Sequence, residues 1–305
     1  MAESKFSNRR IFLKKIILAG ISIPLLNSFS FINKKIRSKK ITILHTNDMH
    51  SHIDSFPKNH SRHPGMGGMR RVASLVKKIR AEEKNVVLID AGDVFQGTPY
   101  FNKFKGSLEL KIMSSMGYIA STMGNHDFDA GLEGFYNAKK YANFPFLCSN
   151  YDFSQTILKN STQKHTIIEK GGIKIGVFGI GVELAGLVPR DKYGNSKYLD
   201  PIECANKEAL ILKEKKCDLI ICLSHLGYEQ KGEKISDLKL AKYTENIHLI
   251  IGGHTHTFLN KPTIEKNSRN ESVLINQVGW AGVNLGRIDI EIESGFFSGK
   301  PLEIR

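Results

Sequence analysis

Five short apolar runs in this chain each lead straight into side chains that can bind a metal. Ile41-Thr42-Ile43-Leu44 leads into His45-Thr46-Asn47-Asp48-Met49-His50, and Val86-Val87-Leu88-Ile89 into Asp90-Ala91-Gly92-Asp93. Ile119-Ala120-Ser121-Thr122-Met123 approaches Gly124-Asn125-His126-Asp127. Leu219-Ile220-Ile221-Cys222-Leu223 precedes Ser224-His225, and Leu249-Ile250-Ile251 precedes Gly252-Gly253-His254-Thr255-His256. Runs of this length, bounded by turn residues, read as buried strands. In α/β folds, sites are built at the carboxyl ends of the strands. One such block is an ordinary turn or cap. Five in one chain predict a metal centre assembled from across the sheet.

Helices are expected between these strands. Gly67–Ile79 carries apolar residues at helical spacing at Val72, Leu75, Val76 and Ile79. Further helices are expected over Ser107–Met116, Leu132–Tyr141 and Pro201–Glu214, the last with Asp200 as cap and proline at its first position. Ile167–Val177 reads as a hairpin turning at Gly171-Gly172. Val273–Val278 and Val283–Ile292 look like closing strands. No internal repeat is visible. Alternating strands and helices followed by a strand-rich end predict a layered α/β fold. At 305 residues there is enough chain for a sizeable core.

The net charge of +14 suggests nucleic acid until it is located. Residues 1–40 hold ten Lys/Arg and one acidic residue, which leaves only +5 on the rest. A nucleic-acid role is therefore not expected, and a mildly basic body suits an anionic substrate. Asn8-Arg9-Arg10-Ile11-Phe12-Leu13-Lys14 resembles a twin-arginine export motif, with an apolar core from Ile16 to Leu26 too short to span a bilayer comfortably. We expect residues 1–32 to be a signal segment, 33–40 a basic linker and 41–305 the catalytic domain. The protein would then act in the periplasm or at the cell surface. Ser28-Phe29-Ser30 is a weak cleavage site, so an N-terminal membrane anchor is the alternative. The four cysteines (Cys148, Cys204, Cys217, Cys222) show neither CxxC nor zinc-ribbon spacing. Cys217 and Cys222 flank an apolar strand and read as small buried side chains.

Asp48 and His50 are one residue apart, as are His254 and His256. In extended backbone such pairs point the same way, so each is expected to aim two side chains into one pocket. Asp93 follows Gly92, which permits close approach. Asn125 offers a carbonyl oxygen and His225 another imidazole. These seven nitrogen and oxygen donors suit zinc, manganese, iron or cobalt better than calcium. They are too many for one ion and right for two divalent metal ions, which share a carboxylate at roughly 3.5–4 Å separation. Such a pair can hold a hydroxide and bind phosphate oxygens. His126 should point elsewhere, with Asp129 in reach across one turn to orient it and favour its protonated form. Asp90 and Asp127 are expected to support the centre by hydrogen bonds, with His45 and His52 as outer supports. His60 and His63 are expected to be plain loop residues.

The ordered set Asp48-x-His50, Gly92-Asp93, Gly124-Asn125-His126-Asp127, Ser224-His225 and Gly253-His254-Thr255-His256 resembles the calcineurin-like metallophosphoesterase superfamily. Leu44–Asp48, Gly124–Asp129 and Gly252–His256 are similar to its 5′-nucleotidase branch. The resemblance covers residues 41–292. It implies a four-layer α-β-β-α sandwich, two β-sheets flanked by helices. It implies one metal on Asp48, His50, Asp93 and His256, and a second on Asp93, Asn125, His225 and His254, with Asp93 bridging. His126 and Asp129 would be the catalytic dyad. The implied reaction frees phosphate and nucleoside from 5′-nucleotides. Phosphodiesters, nucleotide sugars or sulfur esters are alternatives on the same site, and a non-catalytic surface scaffold is the alternative of another class. Full-length 5′-nucleotidases carry a second, C-terminal domain that holds the nucleobase. None is expected in this chain; a separately encoded partner that docks on it would supply one.

Overall fold

The isoleucine-, valine- and leucine-rich runs form strands, and the 3.6-period segments between them form the helices that cover those strands. A computed structural model describes residues 39–292 and 296–303. In chain order the first elements are β1 (Lys40–Thr46), α1 (Met69–Glu82), β2 (Val86–Asp90), α2 (Pro99–Phe104), α3 (Ser107–Met116) and β3 (Ala120–Thr122). A single 3₁₀ turn at His126–Phe128 precedes α4 (Gly131–Lys139), β4 (Phe146–Leu147), β5 (Tyr151–Asp152), β6 (His165–Lys170) and β7 (Ile173–Ile180). Then come α5 (Arg190–Tyr193), β8 (Lys197–Tyr198), α6 (Pro201–Glu214), β9 (Leu219–Ser224) and α7 (Asp237–Tyr243). The chain closes through β10 (Leu249–Gly252), β11 (Thr263–Lys266), β12 (Ser272–Asn276), β13 (Asn284–Glu291) and β14 (Phe296–Glu303).

Two six-stranded sheets result, ordered β14-β13-β1-β2-β3-β4 and β11-β12-β10-β9-β7-β6. Within them β1, β2, β3 and β4 run parallel, as do β7, β9, β10 and β12. Both faces of such strands are covered, which is why they read as unbroken apolar runs. Ile41, Ile43, Val87 and Ile89 of the first sheet meet Ile175, Val177, Ile221, Leu223 and Ile251 of the second in one core. The opposite face of the first sheet packs Leu44 and Leu88 against Val72, Val76, Leu110, Met113 and Phe135 from α1, α3 and α4. The second sheet buries Phe178, Ile220 and Ile250 under Ala205, Ala209 and Leu212 of α6 and Leu240 of α7. The layers are therefore α-β-β-α, as the family resemblance implied.

Local signals match closely. The Asp200 carboxylate accepts the Glu203 N–H at 2.8 Å and caps α6. Gly171 and Gly172 turn the β6–β7 hairpin with φ of 61° and 74°, which other residues adopt only at a cost. All four cysteines are free, and Cys222 is buried, but Cys217 is half-buried in the turn between α6 and β9. The expected signal segment and most of the basic linker lie outside the described residues. Among the described residues no helix is long and apolar enough to cross a membrane.

Candidate metal centre

The carboxyl ends of β1, β2, β3, β9 and β10 converge, and each delivers its ligand-type residues from the loop that follows. The β1 and β2 loops are zipped together. Asp48, His50 and Ser51 donate their N–H groups to the carbonyls of Gly92, Asp93 and Val94 at 2.9, 3.0 and 2.9 Å. Gly92 is required at the crossing, because a Cβ there would stand 2.7 Å from the Gly124 nitrogen and 2.9 Å from His225 Nδ1. From β10, His254 donates its N–H to both oxygens of Asp48 at 3.0 Å.

One expectation about the backbone is corrected. The pairs Asp48/His50 and His254/His256 are not extended. Their φ angles are 51°, 47°, 74° and 52°, and Asp93 joins them at 54°. Each strand has already ended, and the chain curls over the pocket mouth in left-handed turns. Those turns aim the side chains inward by a route other than strand alternation. A non-glycine residue in this region costs about 1–2 kcal/mol, so five of them in one site are held by the surrounding bonds and by what the site binds.

Two groups of ligand-type atoms form, Asp48 with His50 and His256, and Asp93 with His225 and His254, the atoms of each lying within 4.8 Å of one another. His256 Nε2 stands 3.4 Å from Asp48 Oδ1 and 3.0 Å from His50 Nε2. His225 Nε2 is 3.0 Å from Asp93 Oδ2, and Asn125 Oδ1 is 2.8 Å from His254 Nδ1. Asp93 Oδ2 also lies 3.9 Å from His50 Nε2, so its carboxylate stands between the groups. All seven sequence-derived candidates are therefore brought together. Asp48, Asp93 and His225 lie at the buried floor, and His254 and His256 are half-buried at the rim.

The electrostatics fit a cation. Burial works against charge on Asp93, yet His225, then His50 and His126, overrule it and hold its carboxyl well below the usual range. Burial likewise opposes charge on His225, but Asp93 and then Asp48 push its pKa up to about 10. Desolvation lowers His50, and lowers His254 to about 4, so both keep lone pairs free. His225 Nδ1 sits 2.7 Å from the Ala91 carbonyl, while its buried Nε2 faces Asp93 Oδ2 at 3.0 Å without good hydrogen-bond alignment. Two buried carboxylates thus demand positive charge where lone-pair nitrogens converge. A proton on His225 meets that demand partly; divalent cations on nitrogen and oxygen donors meet it fully.

His126 and Asp129 come together beside this set. The 3₁₀ turn places His126 Nδ1 2.9 Å from Asp129 Oδ2, and that hydrogen bond is the main reason the His126 pKa is raised. The His126 N–H donates to Asp93 Oδ1 at 2.8 Å and ties the dyad to the floor. Asp127 accepts the N–H groups of Asp93, Val94, Phe95 and Gly124 at 2.9–3.2 Å. Asp90 accepts from Thr46, Gly92 and Ser121 at 2.7–2.9 Å. Both therefore splint the loops. His45 is not a support of the centre: its Nε2 meets Asn276 at 2.8 Å between the sheets. His52 packs edge-on against Trp280, and His60 and His63 lie in a loop as expected, where His60 stacks on Phe56 and on His63.

Three contributors escaped sequence reasoning. Buried Gln277 donates from Nε2 to the Gly253 carbonyl at 2.6 Å, and its Oε1 accepts the Thr257 N–H, so it clamps the His254–His256 turn from both ends. Asn47 donates to Asp48 Oδ2 and to the Gly279 carbonyl, both at 2.6 Å. Trp280 stacks on His256, rings 2° from parallel with centroids 5.4 Å apart. Asn47 adjoins a candidate ligand and Trp280 is the single tryptophan, but nothing in the sequence distinguishes Gln277.

Residues 41–258 match the family model for calcineurin-like phosphoesterases. The chain is 32% identical over 274 residues to a snake venom 5′-nucleotidase of Gloydius brevicauda, covering 83% of this chain and 45% of that protein. It is 32% identical over 281 residues to a 5′-nucleotidase of Vibrio cholerae, covering 85% and 50%. Among solved structures, a 5′-nucleotidase precursor of Thermus thermophilus superposes with a TM-score of 0.77 at 31% identity, over 87% of this chain and 54% of that one. The chain thus spans about half the length or less of the curated relatives it matches.

Proposed function

Because the chain belongs to the calcineurin-like phosphoesterase family, we propose that it is a two-metal phosphoesterase that hydrolyses phosphate monoesters. Its favoured substrates would be 5′-nucleotides, cleaved to nucleoside and phosphate. The observation that carries this reading is the Asp93 carboxylate standing between two ligand groups, with the His126–Asp129 dyad tied to it. Asp48, His50, Asp93 and His256 would hold one cation, and Asp93, Asn125, His225 and His254 the other. When bound, the pair supplies positive charge to the phosphoryl oxygens and makes water a nucleophile near neutral pH.

The chain's own residues do the rest. His126 shares one ring proton with Asp129 through Nδ1, which leaves Nε2 to offer a second proton to the departing oxygen. The Asp129 hydrogen bond raises the His126 pKa and so favours that protonated form. Asp127, Gln277 and Asn47 hold the loops against rearrangement as charge develops. Arg9-Arg10 before an apolar core supports export by a twin-arginine route, which carries folded cargo and suits a centre that exists only in the folded chain.

The test is phosphate release from 5′-AMP by the full chain loaded with manganese or zinc, with a chelated control. Metal-dependent release that Asp93→Asn reduces about 10²–10³-fold is expected, as for loss of a group acting on the transition state. Metal-replete protein that releases phosphate from no nucleotide, alone or with a nucleotide-binding partner, would overturn the reading.

A further inference from the structure

A groove of about 700 Å³ opens beside the metal centre and shares His254 with the ligand set. It lies outside the carboxyl ends of β7 and β9, between the loops that follow them, which line it from Val182 and from Leu226 onward. This is where open parallel sheets bind their ligands, and the volume is that of an organic molecule.

The groove is continuous with the centre. His254 lines its inner end, and His254 Nδ1 is 2.8 Å from the oxygen of Asn125, the residue before His126. Its wall is fixed to the His254 turn as well, since the Tyr228 N–H donates to Thr255 Oγ1 at 3.0 Å. A phosphoester whose phosphoryl group sits at the ligand set can extend past His254 toward this opening.

The lining has two characters. Leu187 and Leu199 are 45% and 39% exposed, an apolar surface that a bound molecule would cover. Around it Glu183, Asp200 and Glu233 face a single Lys234. An acidic rim on a body that carries net positive charge is a local inversion of the field. Carboxylates accept hydrogen bonds from hydroxyl groups and repel phosphate.

We propose that this groove receives the leaving group of the ester, and that its acidic rim selects uncharged, hydroxyl-bearing leaving groups over those that carry further phosphate. The proposal rests on the phosphoesterase reading and adds what that reading lacks, a basis for choosing among esters within this chain.

The experiment uses the full chain, metal-loaded, on three substrates: p-nitrophenyl phosphate, a nucleoside 5′-monophosphate, and the corresponding nucleoside 3′,5′-bisphosphate followed as loss of its 5′-phosphate. Ala185→Trp narrows the groove from an exposed loop position. It is expected to lower kcat/KM for the nucleoside monophosphate about tenfold through KM, the scale of a few lost apolar contacts, and to leave the single-ring ester within about twofold. Glu183→Gln with Glu233→Gln is expected to raise kcat/KM for the bisphosphate relative to the monophosphate about fivefold at low ionic strength, a gain that fades in salt. If Ala185→Trp acts equally on both monoesters or on neither, or if the paired glutamine variant leaves the ratio unchanged, the groove assignment is wrong while the phosphoesterase reading stands. Wild-type protein inert on all three esters would overturn both.

Discussion

At the scale of single residues, the site places charge on an imidazole by geometry. The Asp129 carboxylate holds His126 protonated to higher pH than a free histidine. A raised pKa means the acid form is present below it and is lost as pH rises through it. Asp129→Asn should therefore move the alkaline limb of the kcat profile to lower pH, and His126→Ala should cost about 10²–10⁴-fold in kcat with little alkaline limb left. A kcat profile for Asp129→Asn that overlies the wild type would show that His126 does not titrate in the rate. Gln277 acts differently, through the turn it clamps. Gln277→Ala should weaken metal retention about 10–100-fold, read by titration against a chelator of known affinity, with the melting temperature showing that the fold persists.

At the scale of elements, each strand matters for where it ends. Ile221 of β9 sits between the sheets and is fully buried. Ile221→Ala should cost about 2–5 kcal/mol of unfolding free energy, measured by chemical denaturation of chelated protein so that metal binding does not mask it. The elements were largely legible in the sequence. Parallel strands buried on both faces leave unbroken apolar runs, helices leave their 3.6 period at Val72, Leu75, Val76 and Ile79, and Asp200 before proline marks a helix start. All seven ligand candidates and the dyad were legible too, because strand ends collect them within a few residues of apolar runs. What was hidden depends on turns and on partners distant in sequence. The left-handed φ of Asp48, His50, Asp93, His254 and His256 carries no signature, since non-glycine residues there are fixed by tertiary bonds. Gln277 meets Gly253 across 24 positions, and only folding places it there.

At the scale of the whole molecule, metal and fold stabilise each other. Five strained residues and two buried carboxylates are tolerable when cations occupy the site. Metal removal should lower the melting temperature by about 5–10 °C, the shift that a ligand at a hundred to a thousand times its dissociation constant gives a chain of this size. An unchanged melting temperature after verified metal loss would mean that the hydrogen bonds alone carry the strain. The arrangement of β1 has a kinetic consequence as well. This strand emerges early in synthesis but lies in the middle of its sheet, between β2 and β13. Its Asp48 meets His254 across 206 positions. Until residue 256 is made the donor set is incomplete, and until residue 291 the strand that leads into Asp48 has an open edge. Contacts of such separation close late. A nascent chain therefore has nothing with which to discriminate among ions, and a fragment would take whichever first-row metal binds most avidly. If the proposed centre holds, the ion it takes would depend on the metals in supply where folding finishes.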